Sequence, residues 1–288
     1  MHSLSLISDW PVGHAAGAIL TRDGGVVGSV GDLAEVYPLA SVTKPLVAYA
    51  LLVAVEEGAV ELDQPAGPPG STVRHLLSHA SGLAFGDRTV QAEPERKRIY
   101  SSAGFEVLAD LVETETGIGF DDYLHQAVFE PLGMRSSTLT GSAGHGANSS
   151  TEDLIRFAAE LLSPVLVSPQ TFDDATRVQF PGLNGIVPGY GMFKPNDWCL
   201  GFELRGKKNP HWTGTGNSPR TFGHFGQSGT FLWVDPEIDT ACVVLTNRAF
   251  GEWAKPLWAE FNDAVLGEIT KNLCRSLAKQ AQHRHTVG

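Results

Sequence analysis

From Pro45 to Val55 every side chain is apolar or tyrosine. A helix of that composition has no polar face, so the pattern predicts a helix over about residues 43–57 that is buried all round and stopped by Gly58. Upstream, HAAGAILTRDGGVVGSVGD (14–32) reads as two short strands around the turn Asp23-Gly24-Gly25. Downstream, helical spacing recurs in VRHLLSHA (73–80), AGFEVLADLVETETG (103–117), FDDYLHQAVFEPLG (120–133) and STEDLIRFAAELL (150–162). In the last of these, Ser150 and Asp153 form a capping pattern ahead of an apolar stripe. The pattern then changes. LGFELRG (200–206), GTFLWVDP (229–236) and TACVVLTNR (240–248) read as strands, AKPLWAEFNDAVLGEI (254–269) as a closing helix, and AKQAQHRHTVG (278–288) as a fraying polar end.

Strands thus lie at both ends and helices in the middle. That order predicts an α/β (α+β) fold: an antiparallel sheet flanked by helices, with a mostly helical region inserted. The expected units are 1–66 with 190–288 as the α/β domain and 67–189 as the helical subdomain. QPAGPPGS (64–71) forms the seam.

The 288 residues include 42% hydrophobic and 18% charged residues, an ordinary globular balance with room for a large core. The net charge of −11 argues against a nucleic-acid or anionic-membrane surface. The basic run Arg96-Lys97-Arg98 follows Glu93 and Glu95 and reads as a solvated loop. Cys199, Cys242 and Cys274 are far apart and form no CxxC pair, which argues against disulfides or a thiolate zinc site. With no apolar run near the ~18 residues of a membrane span and no secretory pattern at the N-terminus, the expectation is a cytoplasmic protein. No cofactor is expected, and the oligomeric state is left open.

One polar group breaks the apolar helix at its front. Lys44 stands three residues after Ser41, on the same helical face. Burial disfavours an ammonium and makes lysine a usable base near neutral pH, which is what a serine hydroxyl needs to become a nucleophile. The free N–H groups at the helix start suit a developing oxyanion. SxxK alone arises by chance about once in such a chain. Ser276 and Lys279 supply that decoy in a polar stretch. Context favours the first match. Tyr100-Ser101-Ser102 stands before one helix and His224-Phe225-Gly226 before a strand. A tyrosine can relay protons to a leaving group if a nearby ammonium lowers its pKa. A glycine-flanked strand edge can present N–H groups to a carbonyl.

The order Ser-x-x-Lys, Tyr-Ser-x, His-x-Gly resembles the serine β-lactamase and penicillin-binding-protein superfamily, above all its class C β-lactamase, esterase and D-aminopeptidase branch. HLLSHASGL (75–83), EPLGMRSSTL (130–139), STEDLIRFAAELL and GHFGQSGTFLWVDP (223–236) are similar to that branch's segments in their usual order, over roughly residues 14–265. The resemblance implies Ser41 as acylated nucleophile, Lys44 and Tyr100 as proton carriers, and the backbone N–H groups of Ser41 and Gln227 as oxyanion hole. Ser102, His224 and Gly226 would bind substrate. Two residues depart from the β-lactamase pattern. Ser102 replaces an amide-bearing asparagine, and His224 replaces the lysine that would face a β-lactam carboxylate. Histidine there is frequent among the esterase-like members.

Other chemistry has less support. His75 and His79 have an i, i+4 spacing that can bind zinc, but no HExxH glutamate accompanies them, so packing and capping are expected and no metal is. There is no GxSxG serine, GxGxxG or Walker A loop. Tyr190, Phe193, Trp198 and Phe202 either line a pocket or fill the core; the sequence leaves both open. The expected activity is a serine hydrolase, foremost a carboxylesterase on small or medium acyl esters. The alternatives are a D-amino-acid amidase or peptidase, a weak β-lactamase, acyl transfer to another alcohol, or a non-catalytic ligand-binding relative.

Overall fold

The computed structural model describes residues 1–23 and 25–286, the stretch 273–286 by its backbone alone. In chain order the elements are β1 (Ala15–Thr21), β2 (Gly25–Val30), β3 (Val36–Pro38), α1 (Thr43–Glu56), α2 (Val73–Leu77), α3 (Ala103–Thr116) and α4 (Phe120–Leu124). Then come β4 (Thr138–Leu139), β5 (Ala147–Ser150), α5 (Thr151–Leu162), α6 (Pro169–Thr176), β6 (Gly185–Val187) and β7 (Gly191–Phe193). The chain closes with β8 (Glu203–Leu204), β9 (Phe222–Gly226), β10 (Thr230–Asp235), β11 (Thr240–Thr246) and α7 (Ala254–Thr286).

A six-stranded sheet runs β2-β1-β11-β10-β9-β8, and its assigned strand pairs are antiparallel. Its central strands are buried on both faces, so alternate residues enter two different cores. Ala241, Val243 and Leu245 of β11 join a core with α1, α3 and α5, while Cys242 and Val244 join one with Trp258, Phe261 and Val265 of α7. The first core runs without a break from the sheet into the helical region. Both N- and C-terminal segments therefore build the sheet, and the helices between them cover one face.

Helix α1 has the expected burial: Thr43 to Leu52 are all buried. Helix α5 starts where its cap predicts, with the Ser150 hydroxyl accepting from the Asp153 N–H at 3.2 Å. Other expectations shift. Helix α2 ends at Leu77, three residues early, because His79 turns to φ +59. His75 and His79 therefore do not share a helical face. His75 caps α2 from inside, its Nδ1 meeting Thr72, while its Nε2 faces Glu95 at 3.1 Å. The polar C-terminal end expected to fray is helical to Thr286. The turn expected at Asp23-Gly24-Gly25 includes Gly24, and the decoy Ser276 and Lys279 and Cys274 have side chains that lie outside the described ones. Among the described residues no helix is long and apolar enough to cross a membrane.

Candidate active site

Ser41 lies in a 3₁₀ turn, Ala40–Val42, at the entrance to α1. The turn is forced into position. Ala40 takes φ +46, a strained choice for a residue with a Cβ. The Thr230 hydroxyl donates to the Leu39 carbonyl at 3.0 Å, tying this segment to β10. Gly226, the last residue of β9, approaches so closely that a Cβ there would lie 2.3 Å from the Leu39 oxygen. Gly226 does not line the cavity over Ser41; it brings the end of β9 against the serine's own turn.

The Ser41 hydroxyl sits between two side chains able to carry protons, 2.7 Å from the Tyr100 hydroxyl and 3.4 Å from Lys44 Nζ. The lysine is fully buried at the base of the cleft. Its nitrogen also reaches the Gly144 carbonyl at 2.8 Å and Ser102 Oγ at 3.1 Å, and it lies 4.6 Å from the centre of the Tyr100 ring. Burial lowers its pKa from 10.5 to about 7, with the Glu106 carboxylate pulling the other way. A neutral amine has two N–H groups and one lone pair. The Gly144 carbonyl can only accept, and Ser102 Oγ can take the second N–H, which leaves the lone pair for the Ser41 O–H.

Tyr100 behaves differently from the expectation. Burial raises its pKa well above the usual tyrosine value, and nearby Glu203 adds to this, against the opposing effect of the Ser41 hydrogen bond. Lys44 does not rescue the phenolate because burial is stripping its own charge. Tyr100 therefore stays a phenol and can only pass protons along. Its second neighbour is His224, whose Nε2 lies 3.3 Å from the phenol oxygen. His224 Nδ1 lies 2.6 Å from the Phe225 carbonyl, which must accept, so Nδ1 carries the proton and Nε2 has only a lone pair, while the single Tyr100 proton is donated to Ser41 across the shorter contact. Burial first, and Lys44's charge second, lower the His224 pKa to about 3. The position that a lysine occupies in β-lactamases is thus held by a neutral ring.

Ser41, Tyr100, His224 and Gln227 line one cavity of about 120 Å³ with Phe85, Pro188, Trp198, Glu203 and Phe225. Gln227 is held at both ends by Phe250, whose N–H donates to its carbonyl at 2.8 Å and whose carbonyl accepts from its side chain at 3.1 Å. Among the described residues neither the Ser41 nor the Gln227 backbone N–H is used by another protein group. Ser102 points elsewhere: it contacts Lys44 and lines a neighbouring cleft with Glu106, Ser142 and His145.

Several site groups carry no sequence signal. The Gly144 carbonyl is one. Glu203 is another: a buried carboxylate on the cavity wall, bonded to His211 at 3.1 Å and Trp212 at 2.8 Å, with Lys208 3.4 Å away. Burial works to raise its pKa, but Lys208 and His211 outweigh it and hold the acid at about 2. Arg98 is a third. Far from being solvated, its guanidinium donates to the carbonyls of Ser78, Gln179, Phe180 and Asn196 and braces the extended segment that leads to Tyr100. Of the four aromatics left open, Trp198 lines the cavity; Phe202 is in the core.

Residues 13–266 match the profile of the β-lactamase family. The chain belongs to the β-lactamase family. A crystal structure of a β-lactamase from Mycobacterium bovis is 58% identical, covers 93% of this chain and 99% of its own, and superposes with a TM-score of 0.92. The esterase EstB of Burkholderia gladioli is 23% identical over 80% of this chain and 81% of its own length. A Salmonella heidelberg protein provisionally named as a D-alanyl-D-alanine carboxypeptidase is 25% identical over 58% of this chain. The chain spans about half the length of that relative, 49%. Membership and the superposition give this chain the β-lactamase fold.

Proposed function

We propose that the protein is a carboxylesterase acting on small or medium acyl esters through an acyl-enzyme on Ser41. The observation that carries this reading is the hydroxyl of Ser41 held between a phenol at 2.7 Å and a lysine whose pKa burial has brought to about 7. In the first step the Ser41 oxygen bonds to the ester carbonyl carbon and its proton moves to neutral Lys44. The carbonyl oxygen becomes an oxyanion facing the N–H groups of Ser41 and Gln227. As the intermediate collapses, the alcohol leaves and takes a proton through Tyr100. Water repeats the sequence in reverse and frees the acid and Ser41.

The preference for esters rests on His224. A β-lactam carries a carboxylate that calls for a fixed cation, and the ring here stays neutral down to about pH 3. The name of the Mycobacterium bovis relative points to β-lactams; the lining of the Ser41 cavity holds no such cation, which favours esters that carry no charge beside the reacting carbonyl. The test is a fluorophosphonate label with peptide mapping, beside chromogenic esters, D-amino-acid anilides and a chromogenic cephalosporin. Labelling at Ser41 with turnover of the esters above the rest supports the reading. Cephalosporin turnover exceeding ester turnover would overturn it.

A further inference from the structure

In a chain of net charge −11, one groove is walled by four cations and no acid. It encloses about 510 Å³ and shares Phe85, Tyr100 and Pro188 with the cavity over Ser41. Its floor is apolar. Ile186 and Met192 stand opposite each other across the β6–β7 hairpin, and each is 56% exposed. Arg98, already bound to four backbone carbonyls, cannot serve a ligand, but Arg96, Lys97 and Lys194 are exposed. Among the described residues these three side chains have no ion pair or hydrogen bond. The exposed apolar pair offers surface that a ligand would remove from water, and the three cations set the sign of the charge such a ligand would carry; the two features converge beside Tyr100.

We propose that this groove binds one arm of the substrate, and that the arm is an apolar chain ending in an anion such as a carboxylate. The chain covers Ile186, Met192 and Phe85, and the anion meets Arg96, Lys97 and Lys194. The link to catalysis rests on the esterase reading; the binding itself does not. The charge that the Ser41 cavity lacks is thus supplied farther out, at the end of the arm.

The experiment compares wild type with Arg96→Gln/Lys97→Gln/Lys194→Gln, a variant that touches none of the proton-carrying groups. p-Nitrophenyl acetate, too short to enter the groove, reports basal turnover. Octanoate, octanol and octyltrimethylammonium are tested as inhibitors of that turnover, and octanoate is also titrated by calorimetry. Exposed ion pairs contribute roughly 2- to 5-fold each, so octanoate should inhibit about 10-fold more tightly than octanol, with the cation weakest. In the triple variant the three should converge while acetate turnover is unchanged. Equal inhibition by all three in wild type, or an octanoate preference that survives in the triple variant, overturns the proposal. So does charge-dependent sedimentation with phosphatidylglycerol vesicles without octanoate binding, which would make the patch a lipid-facing surface. If acetate is not hydrolysed at all, the esterase reading fails, and the calorimetric comparison still decides the groove.

Discussion

Replacing Lys44 with methionine should make the protein inactive and more stable. Lys44 is fully buried and its pKa falls from 10.5 to about 7, a drop of roughly 3.5 units. At about 1.4 kcal/mol per unit, keeping this amine in the folded protein costs about 5 kcal/mol. Methionine has similar length and no charge. It also abandons the Gly144 carbonyl, 2.8 Å from Nζ, and a buried unpaired carbonyl costs about 1–3 kcal/mol. The net expectation is a gain of about 2–4 kcal/mol at pH 7, or roughly 5 °C or more in Tm for a chain of this size. The sign follows from linkage. Because the folded pKa is the lower one, the unfolded chain binds the extra proton between about pH 7 and 10.5. The penalty is complete below pH 7, and wild-type stability recovers as pH rises through that window. Denaturant titrations of both proteins at pH 7 and pH 9 test this. The gap should narrow by roughly 2 kcal/mol between the two pH values. A methionine variant that is less stable at pH 7, or a gap that does not change with pH, would refute the placement of Lys44 as a buried, strained base.

Other outcomes follow from the same geometry. Ser41→Ala should abolish fluorophosphonate labelling and ester turnover at a stability change within ~1–2 kcal/mol, read by mass spectrometry and thermal melting. The kcat/KM of a neutral ester should climb with pH through about 7 and level off, since only the neutral amine accepts the serine proton; a flat profile would point to another base. Lys44→Arg should leave kcat down by about 10²-fold or more, because guanidinium does not deprotonate. His224→Lys should raise the cephalosporin-to-ester ratio of kcat/KM by roughly 10- to 100-fold, the worth of one charge-assisted bond. Gly226→Ala should lower both stability and kcat, since a Cβ 2.3 Å from the Leu39 oxygen displaces the turn that holds Ser41.

What the sequence shows well is periodicity over long segments. The apolar run of α1, the capped stripe of α5 and the strands β10 and β11 need only local pattern, and each is found. Strand β9 is less visible because FGHFG holds two glycines and a histidine, poor strand formers, yet all five residues are buried by β8 and β10. The small sheet β3-β5-β4 depends on pairing between segments more than 100 residues apart, such as Val36 with Ser150, for which no local signal exists. The same division holds at the site. That Lys44 is buried is legible from its neighbours, whereas the Gly144 carbonyl that orients it is backbone, and backbone has no letter of its own. The overrun of α2 has a tertiary cause: His79 leaves the helix and its Nδ1 accepts the Ser101 N–H at 3.1 Å. Arg98 misled for a related reason, since a basic run looks alike whether it meets water or four carbonyls.

The charges around the cleft differ in when they change. Glu203 holds its charge down to about pH 2, His224 stays neutral down to about 3, and Arg98 keeps its proton up to about 10. Tyr100 remains a phenol beyond the ordinary range. Of these groups Lys44 alone crosses its midpoint near neutrality. The scaffold of the cleft is thus electrostatically frozen while a single amine toggles inside it. Mild acid should silence the enzyme as a tap is closed, with the plumbing intact, and activity should return in full when the pH is raised again.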